Sequence, residues 1–477
     1  MPERGDILEL TIESSGFEGT SIARHEGIVV FVEGAVAGDM VRARVFNKKK
    51  KHLEAKVVEV LRPSASRTEP RCRHFGTCGG CRWQHVQYEA QLAFKQQHVI
   101  DALERIGGFK DVPVLPIIPS KEIYFYRNKL EFSFGDQPWL TEAEMAQPRS
   151  SAVENEEEQG AVMALGFHIP QRYDKILDIR ECHLESEISN GILNAVRDFV
   201  IEESLPVYTS IPQSGYLRNL VIREGKNTGD VMVNLVTFDD RPEVMKKLTE
   251  MLTASFPEIV TVVNNITAKK ANIAVGDTEK VYFGNGIITE KIGHHLFHLS
   301  ANSFLQTNTR QAETLYAVAK EFADLKSSDV VYDLYCGTGA ISLYISDAVK
   351  QVIGIELIES SIANANMNAE LNAISNCEFI AGDLRDLLTK EVEWKARYAK
   401  PDVIIVDPPR SGMHPDAVKE MGRMKTPIVV YVSCNPATLA RDLQLLAPYG
   451  YSIDKVQPVD MFPHTYHIES VTKLNLI

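Results

Sequence analysis

From Asp329 onward, short apolar runs alternate with amphipathic stretches. Val330 to Tyr335, Val352 to Glu356, Glu378 to Asp383, Val403 to Asp407 and Ile428 to Ser433 are each mostly apolar and give way to polar, glycine or cysteine residues. Near-continuous apolar runs of this length read as strands buried on both faces, and the stretches between them as crossover helices. The pattern predicts an α/β domain with a doubly wound, Rossmann-like sheet, whose ligands sit at the carboxyl ends of the strands. The N-terminal region differs. Ile7 to Ile12, Gly27 to Val32, Met40 to Phe46 and Leu53 to Leu61 are β-like and punctuated by Gly, Asp and Asn, which predicts a small antiparallel barrel. Between these regions, Tyr88 to Ile106 reads as a helix ending at Gly107-Gly108, and Tyr124 to about Val281 as mixed strands and helices. The expected division is a barrel over 1–64, a mixed α+β central domain over 65–300 and the α/β domain over 301–477.

Composition narrows the class. The chain has 477 residues, 44% hydrophobic and 24% charged, the balance of an ordinary soluble globular protein with about three domains. No run approaches the roughly 18 apolar residues of a membrane span, and Met1 to Asp6 lacks the apolar core of a signal peptide. A cytoplasmic protein is expected. Lys plus Arg total 51 against 64 Asp plus Glu, a net charge of −13, so any surface that binds phosphates must be local. Arg42, Arg44 and Lys48 to Lys51 form one basic cluster, and the lysine run suits a lip that contacts phosphates. The stretch from Gln137 to Gly160, with Glu142, Glu144, Glu154 and Glu156 to Glu158 against Arg149 alone, reads as an exposed mobile loop.

Candidate chemistry clusters where the strands end. Asp333-Leu334-Tyr335-Cys336-Gly337-Thr338-Gly339-Ala340 closes the first strand and opens a helix, and its glycines permit a tight turn beside a ligand. No third glycine follows in the spacing of a dinucleotide fingerprint. Glu356 ends the second strand, suited to ribose hydroxyls, and Asp383 ends the third, suited to an adenine amine. A small adenosine-bearing cofactor without pyrophosphate fits best, with S-adenosylmethionine leading. Cys336 has no evident task and reads as a buried structural thiol.

The fourth strand ends in Asp407-Pro408-Pro409-Arg410 and the fifth in Ser433-Cys434-Asn435-Pro436. A cysteine facing a methyl donor from a strand end is a candidate nucleophile. Carbon 5 of uracil is too weak a nucleophile to take a methyl group directly. Thiolate addition at carbon 6 makes an enolate that can, after which a base must remove the proton from carbon 5. Glu469 in His464-Thr465-Tyr466-His467-Ile468-Glu469 is the candidate base, with His464 and His467 as competitors. Cys72, Cys78 and Cys81, the last pair flanking Gly79-Gly80, suit three metal ligands on one loop, with Cys182 available to close the site. Spacing alone does not separate zinc from an iron–sulfur cluster. Cys377 is left over. Tyr126-Arg127-Asn128-Lys129 and Leu217-Arg218-Asn219 are candidate phosphate contacts.

In this order along nearly the whole chain, the motifs resemble those of the RNA (uracil-5-)-methyltransferases, especially the 23S ribosomal RNA branch with a TRAM domain and an iron–sulfur cluster. The resemblance implies Cys434 as nucleophile, Glu469 as base and a [4Fe-4S] cluster on Cys72, Cys78, Cys81 and Cys182. Ser303-Phe304-Leu305-Gln306 resembles the family's Phe-Phe-Gln or Phe-Ile-Gln element, implying Phe304 against the substrate base and Gln306 on S-adenosylmethionine. Further cofactor contacts are implied at Tyr335, Ala340, Glu356, Asp383 and Asp407; at Ala340, where many relatives have asparagine, only a backbone contact carries over. Part of the segment near 89–121 is implied to pack on the catalytic domain. The implied partner is RNA, most of all 23S ribosomal RNA, with no membrane and no obligate protein partner. Three rivals stay open: the same reaction on transfer RNA, an amine or cytosine methyltransferase, and an RNA-binding iron–sulfur redox sensor.

Overall fold

The computed structural model describes residues 2–140, 163–170, 172–209, 213–270, 274–389 and 397–477. From residue 141 on, the acidic stretch expected to be a mobile loop lies outside the described residues. Strands β1 (Ile7–Ser15), β2 (Ser21–His25), β3 (Ile28–Glu33), β4 (Met40–Lys48) and β5 (His52–Arg62) close into a barrel in the order β1-β2-β3-β5-β4. Alternation sets its faces: Leu8, Leu10 and Ile12 point in with Val41, Ala43 and Val45, while Arg42 and Arg44 point out. Two features depart from expectation. β2 is a strand despite its Ser, Arg and His residues, because it pairs with neighbours on both sides. The barrel is also not wholly antiparallel, since β3 and β5 pair in parallel where the sheet closes. The buried Asp39 carboxylate accepts from Ser64 N and the Arg67 guanidinium and so ties the barrel to the next segment.

Helix α1 (Tyr88–Arg105) buries Val99 and Leu103 in the same core as Leu439 and Leu443 of the C-terminal domain. The extended segment after it bridges Val114 to Val456 and Ile118 to Val459. This segment therefore packs on the C-terminal sheet although it precedes the central domain in sequence.

The central sheet contains β6 (Lys129–Gly135), β7 (Ala164–Ile169), β8 (Arg172–Asp178), β9 (Leu217–Glu224), β10 (Val231–Thr237), β11 (Ile259–Ile266) and β12 (Thr278–Phe283), ordered β12-β11-β10-β9-β6-β7-β8. Helices α2 (Glu187–Glu202) and α3 (Pro242–Ser255) bury Ile192, Val196, Leu248 and Leu252 in its core. In the basic–aromatic elements expected to contact phosphates, Arg127 and Lys129 are half-buried and the remaining residues turn inward. Tyr126, Asn128, Arg218 and Asn219 are buried, and Arg218 donates to the carbonyls of Thr267 and Lys269. Tyr126 OH and Asn128 Nδ2 likewise donate to the carbonyls of Pro463 and Gln306, as burial requires, while Asn219 Nδ2 donates to Ser133 Oγ. A hairpin of β13 (Ile287–Ile292) and β14 (His295–Ser300) leads onward.

The C-terminal domain runs α4 (Thr309–Phe322), β15 (Val330–Leu334), α5 (Ala340–Ile345), β16 (Gln351–Glu356), α6 (Glu359–Leu371), β17 (Cys377–Ala381), α7 (Leu384–Thr389), β18 (Val403–Val406), α8 (Pro415–Met424), β19 (Ile428–Ser433), α9 (Pro436–Leu446), β20 (Tyr451–Val459) and β21 (Glu469–Leu476). Its sheet order is β17-β16-β15-β18-β19-β21-β20, parallel from β17 to β19 and antiparallel at β21. The order reverses between β15 and β18, so the switch point, where such sheets bind ligands, falls beside the Gly337–Gly339 turn. Among the described residues no helix is long and apolar enough to cross a membrane.

Candidate active site

The turn after β15 is built on left-handed backbone: Tyr335 has φ +65°, Gly337 +54° and Gly339 +79°. Gly339 caps α5, and a Cβ there would stand 2.9 Å from the Phe379 ring, so helix and sheet can meet closely only at a glycine. Over Gly337 the space is open, with nothing within 4 Å of such a Cβ. Glu356 orders this turn. One carboxylate oxygen accepts from Gly337 N at 3.2 Å and the other from Ile358 N at 3.0 Å. Each oxygen keeps a further lone pair for a ligand hydroxyl. Tyr335, Glu356, Leu357, Asp383, Arg385 and His414 line a cavity of about 120 Å³ at these strand ends. The Asp383 carboxylate accepts from Arg385 N at 2.8 Å.

Ala340 is the first residue of α5 and is buried in the core, so its methyl belongs to packing and only its main chain is available to a ligand. Gln306 is nearly buried, whereas Phe304 is 63% exposed, unusual for a phenylalanine on an ordered loop. Sequence reasoning missed what holds this loop. Arg223 donates to Ser303 O, Thr338 Oγ1 to Phe304 O at 3.1 Å, and Asn128 Nδ2 to Gln306 O at 2.9 Å. The central sheet and the glycine turn thus grip the loop from both sides. Leu357 and His414 were also missed; an apolar residue directly after a strand-end acid was the available signal for Leu357.

The thiol and the carboxyl meet through strand register. Ser433 of β19 pairs with Ser470 of β21, so Cys434 and Glu469, each one step beyond that pair, stand opposite one another at the carboxyl end of β19. Ser433 Oγ accepts from Asn435 N, and Asn435 caps α9 through Ala437 N. Asn435 Nδ2 and Thr438 Oγ1 donate to Arg410 O, which joins the Asp407–Arg410 loop to the cysteine turn. Burial pushes the Cys434 thiol up to about 12; Glu469 and Asp407 add to the rise and Arg410 opposes it. Burial also holds Glu469 well above the ordinary carboxyl range, with Asp407 adding to it, and one of its oxygens has no protein partner. Asp407 itself is raised to about 7, chiefly by burial and then by Asp333. An unsatisfied buried carboxyl beside a thiol is costly for stability and suited to proton transfer. The two histidine competitors sit in different surroundings. His464 is turned against Gln91 and stacks on Tyr124, with its pKa lowered to about 4 by burial. His467 is likewise lowered to about 4 by burial and then by Arg410.

Away from this site, Cys72, Cys78, Cys81 and Cys182 line one cavity of about 360 Å³, together with apolar walls that include Phe75, Leu130 and Phe167. Gln84 donates to Cys81 Sγ at 3.2 Å and accepts from Cys72 N at 3.0 Å, so one side chain orients two of the four. Among the described residues no three His, Cys, Asp or Glu side chains converge closely enough for a single metal ion.

Comparison with known proteins adds a second line of observation. Residues 245–476 match the tRNA (uracil-5-)-methyltransferase family and residues 3–58 the TRAM domain. The chain is 45% identical to an uncharacterized RNA methyltransferase of Chlorobaculum tepidum, over 98% of this chain and 96% of that protein. It is 43% identical to one of Bacteroides thetaiotaomicron, over 96% and 99%. The crystal structure of Pyrococcus abyssi tRNA (uracil-54, C5)-methyltransferase in complex with S-adenosyl-L-homocysteine superposes with a TM-score of 0.73 at 29% identity, covering 98% of this chain and all of that one.

Proposed function

The chain belongs to the RNA (uracil-5-)-methyltransferase family and is S-adenosylmethionine-dependent, and on that premise we propose that it methylates carbon 5 of a uridine in 23S ribosomal RNA. Cys434 acts as nucleophile and Glu469 as base. The observation that carries this reading is the Ser433–Ser470 register, which sets the two groups opposite each other at the cofactor end of the sheet.

S-adenosylmethionine, when bound, supplies an electrophilic methyl on a sulfonium. Glu356 would take the ribose hydroxyls, Asp383 the adenine amine, and Tyr335, Gln306, Asp407 and the main chain of Ala340 the remaining contacts. Phe304, exposed beside the glycine turn, would stack on the extruded uracil. Cys434 Sγ, as the thiolate, adds to carbon 6, and the resulting enolate carbon 5 takes the methyl as its bond to the sulfonium sulfur breaks and leaves a neutral thioether. Glu469 then accepts the proton from carbon 5, the electron pair left behind breaks the bond between sulfur and carbon 6, and Cys434 leaves as the thiolate. The raised pKa of Glu469 makes its carboxylate a stronger base than an exposed one. Cys72, Cys78, Cys81 and Cys182 would hold a [4Fe-4S] cluster with a structural role, and no step of the transfer passes through it.

The preference for ribosomal RNA rests on the barrel combined with the four cysteines. The transfer-RNA reading has its own support in the substrate of the Pyrococcus abyssi protein. An adduct assay with 5-fluorouridine-substituted 23S and transfer-RNA fragments separates them. Fluorine cannot leave as a proton does, so the carbon-6 thioether persists on a denaturing gel. A band with the 23S fragment that disappears in Cys434→Ala is expected. A band with transfer RNA alone overturns the substrate, and no band from protein that binds RNA and cofactor overturns the carbon-5 reaction.

A further inference from the structure

We infer that Gln91 and Lys95 of α1 are positioning residues for proton removal, acting through the loop that delivers Glu469. The inference rests on the reading of Glu469 as the base. Val459 and Glu469 form the pair that closes the β20–β21 ladder, and residues 460–468 make an excursion between them. The excursion has no helix or strand of its own, and His464 at its tip has φ +65°, a strained value for a non-glycine residue. Something outside the loop must hold it.

That holding comes from hundreds of residues away in sequence. Lys95 Nζ donates to Asp460 Oδ1 at 2.6 Å and to Phe462 O at 3.0 Å, and both side chains of the ion pair are fully buried. Tyr88 OH donates to the other Asp460 oxygen at 2.7 Å. Gln91 Oε1 accepts from His464 N at 2.8 Å, while its amide nitrogen faces His464 Nδ1 at 3.2 Å and donates to Val86 O at 2.8 Å. Arg82 N and Trp83 N donate to His464 O, so the chain just after Cys81 grips the same residue. A buried lysine–aspartate pair stabilises less than an apolar pair of similar volume, because both charges lose their water. What it supplies is one geometry. Gln91 and Lys95 touch neither Cys434 nor the cavity at the strand ends, yet they anchor the start and the tip of the loop whose end is the base.

The step they serve is the last one: the proton moves from carbon 5 to the Glu469 carboxylate, and the electron pair it leaves expels Cys434 sulfur from carbon 6. Thiolate addition and methyl transfer do not require that carboxylate to be aimed. The test uses full-length Gln91→Leu and Lys95→Met, with Tyr88→Phe as a milder change should either fail to fold. Two quantities are read: multiple turnover on an unsubstituted RNA fragment, and the burst of covalent adduct on the 5-fluorouridine form. Turnover should fall roughly 100-fold, with a methylated RNA–protein adduct accumulating on the unsubstituted RNA, while the burst stays within about twofold of the parent. Turnover and burst falling in proportion would mean a merely structural role and overturn the inference, as would unchanged turnover. Absence of a burst in the parent protein itself would instead sink the underlying reading of the site.

Discussion

Arg410 reaches across the site to Tyr466, donating to its phenol oxygen at 3.2 Å with the guanidinium 5.8 Å from the ring centroid. The contact joins the loop after β18 to the loop before Glu469. It also fixes the cation whose field opposes the rise of the Cys434 thiol. The Asp407–Arg410 loop, which Asn435 ties to Cys434, and the loop before Glu469 are therefore coupled through one side chain.

Removing that cation should make the thiolate scarcer. The Cys434 thiol lies above its ordinary value, so its ionised fraction, and with it the rate of adduct formation, should climb as pH rises through neutral and alkaline conditions. Arg410→Met should lower the rate about tenfold at neutral pH, the equivalent of one pKa unit, and displace the profile to higher pH. Single-turnover adduct rates across the pH range check this; a profile that overlays the parent's would refute it.

Glu469→Gln keeps the shape of the side chain and removes its basicity. Addition and methyl transfer should proceed, and the methylated adduct should accumulate on natural RNA, with turnover reduced about 100-fold or more. Mass spectrometry of the cross-linked peptide should find Cys434 carrying the methylated nucleotide. Fully retained turnover would assign proton removal elsewhere.

Glu356 holds Gly337 N and Ile358 N in addition to its proposed ribose contacts. Hydrogen bonds to a charged group contribute about 1.5–3 kcal/mol each. Glu356→Ala should therefore weaken S-adenosylhomocysteine binding by at least about tenfold, measured by calorimetry, with RNA affinity unchanged. Equal loss of both would indicate a collapsed domain.

The cysteine cavity has a direct analytical test. Protein purified without oxygen should carry iron and sulfide in equal amounts, roughly four of each per chain for a [4Fe-4S] cluster, and Cys182→Ala should lose them. Removing any such iron from the parent protein should lower its melting temperature, because the proposed cluster would link the Cys72–Cys81 loop to the turn before α2. Stoichiometric zinc in place of iron would overturn the cluster.

Much of the α/β domain was legible in single stretches of sequence. The runs at Val330, Val352, Val403 and Ile428 became β15, β16, β18 and β19, because burial on both faces leaves an apolar signature that needs no knowledge of neighbours. Strand β2 was illegible for the converse reason. Its Ser, Arg and His are acceptable only because the barrel pairs it on both edges. Arg218 and Asn128 misled in the same way, since charge and polarity suggest solvent until the carbonyls they serve are in view.

The sequence by itself determined the kinds of chemistry available: a glycine turn for a ligand, acids and a thiol at strand ends, and cysteines clustered on one loop. These are local properties, expressed within a few residues of one another. Tertiary structure alone decided which of them meet. Whether Glu469 faces Cys434 depends on the antiparallel register of β21 on β19, where a slip of one residue would turn the carboxyl to the other face of the sheet. The loop between β20 and β21 that leads into Glu469 is held by Lys95 on Asp460 and by Gln91 on His464, contacts that span more than three hundred and sixty residues. No window of sequence contains those contacts. Their energy exists only when the whole chain has closed around them.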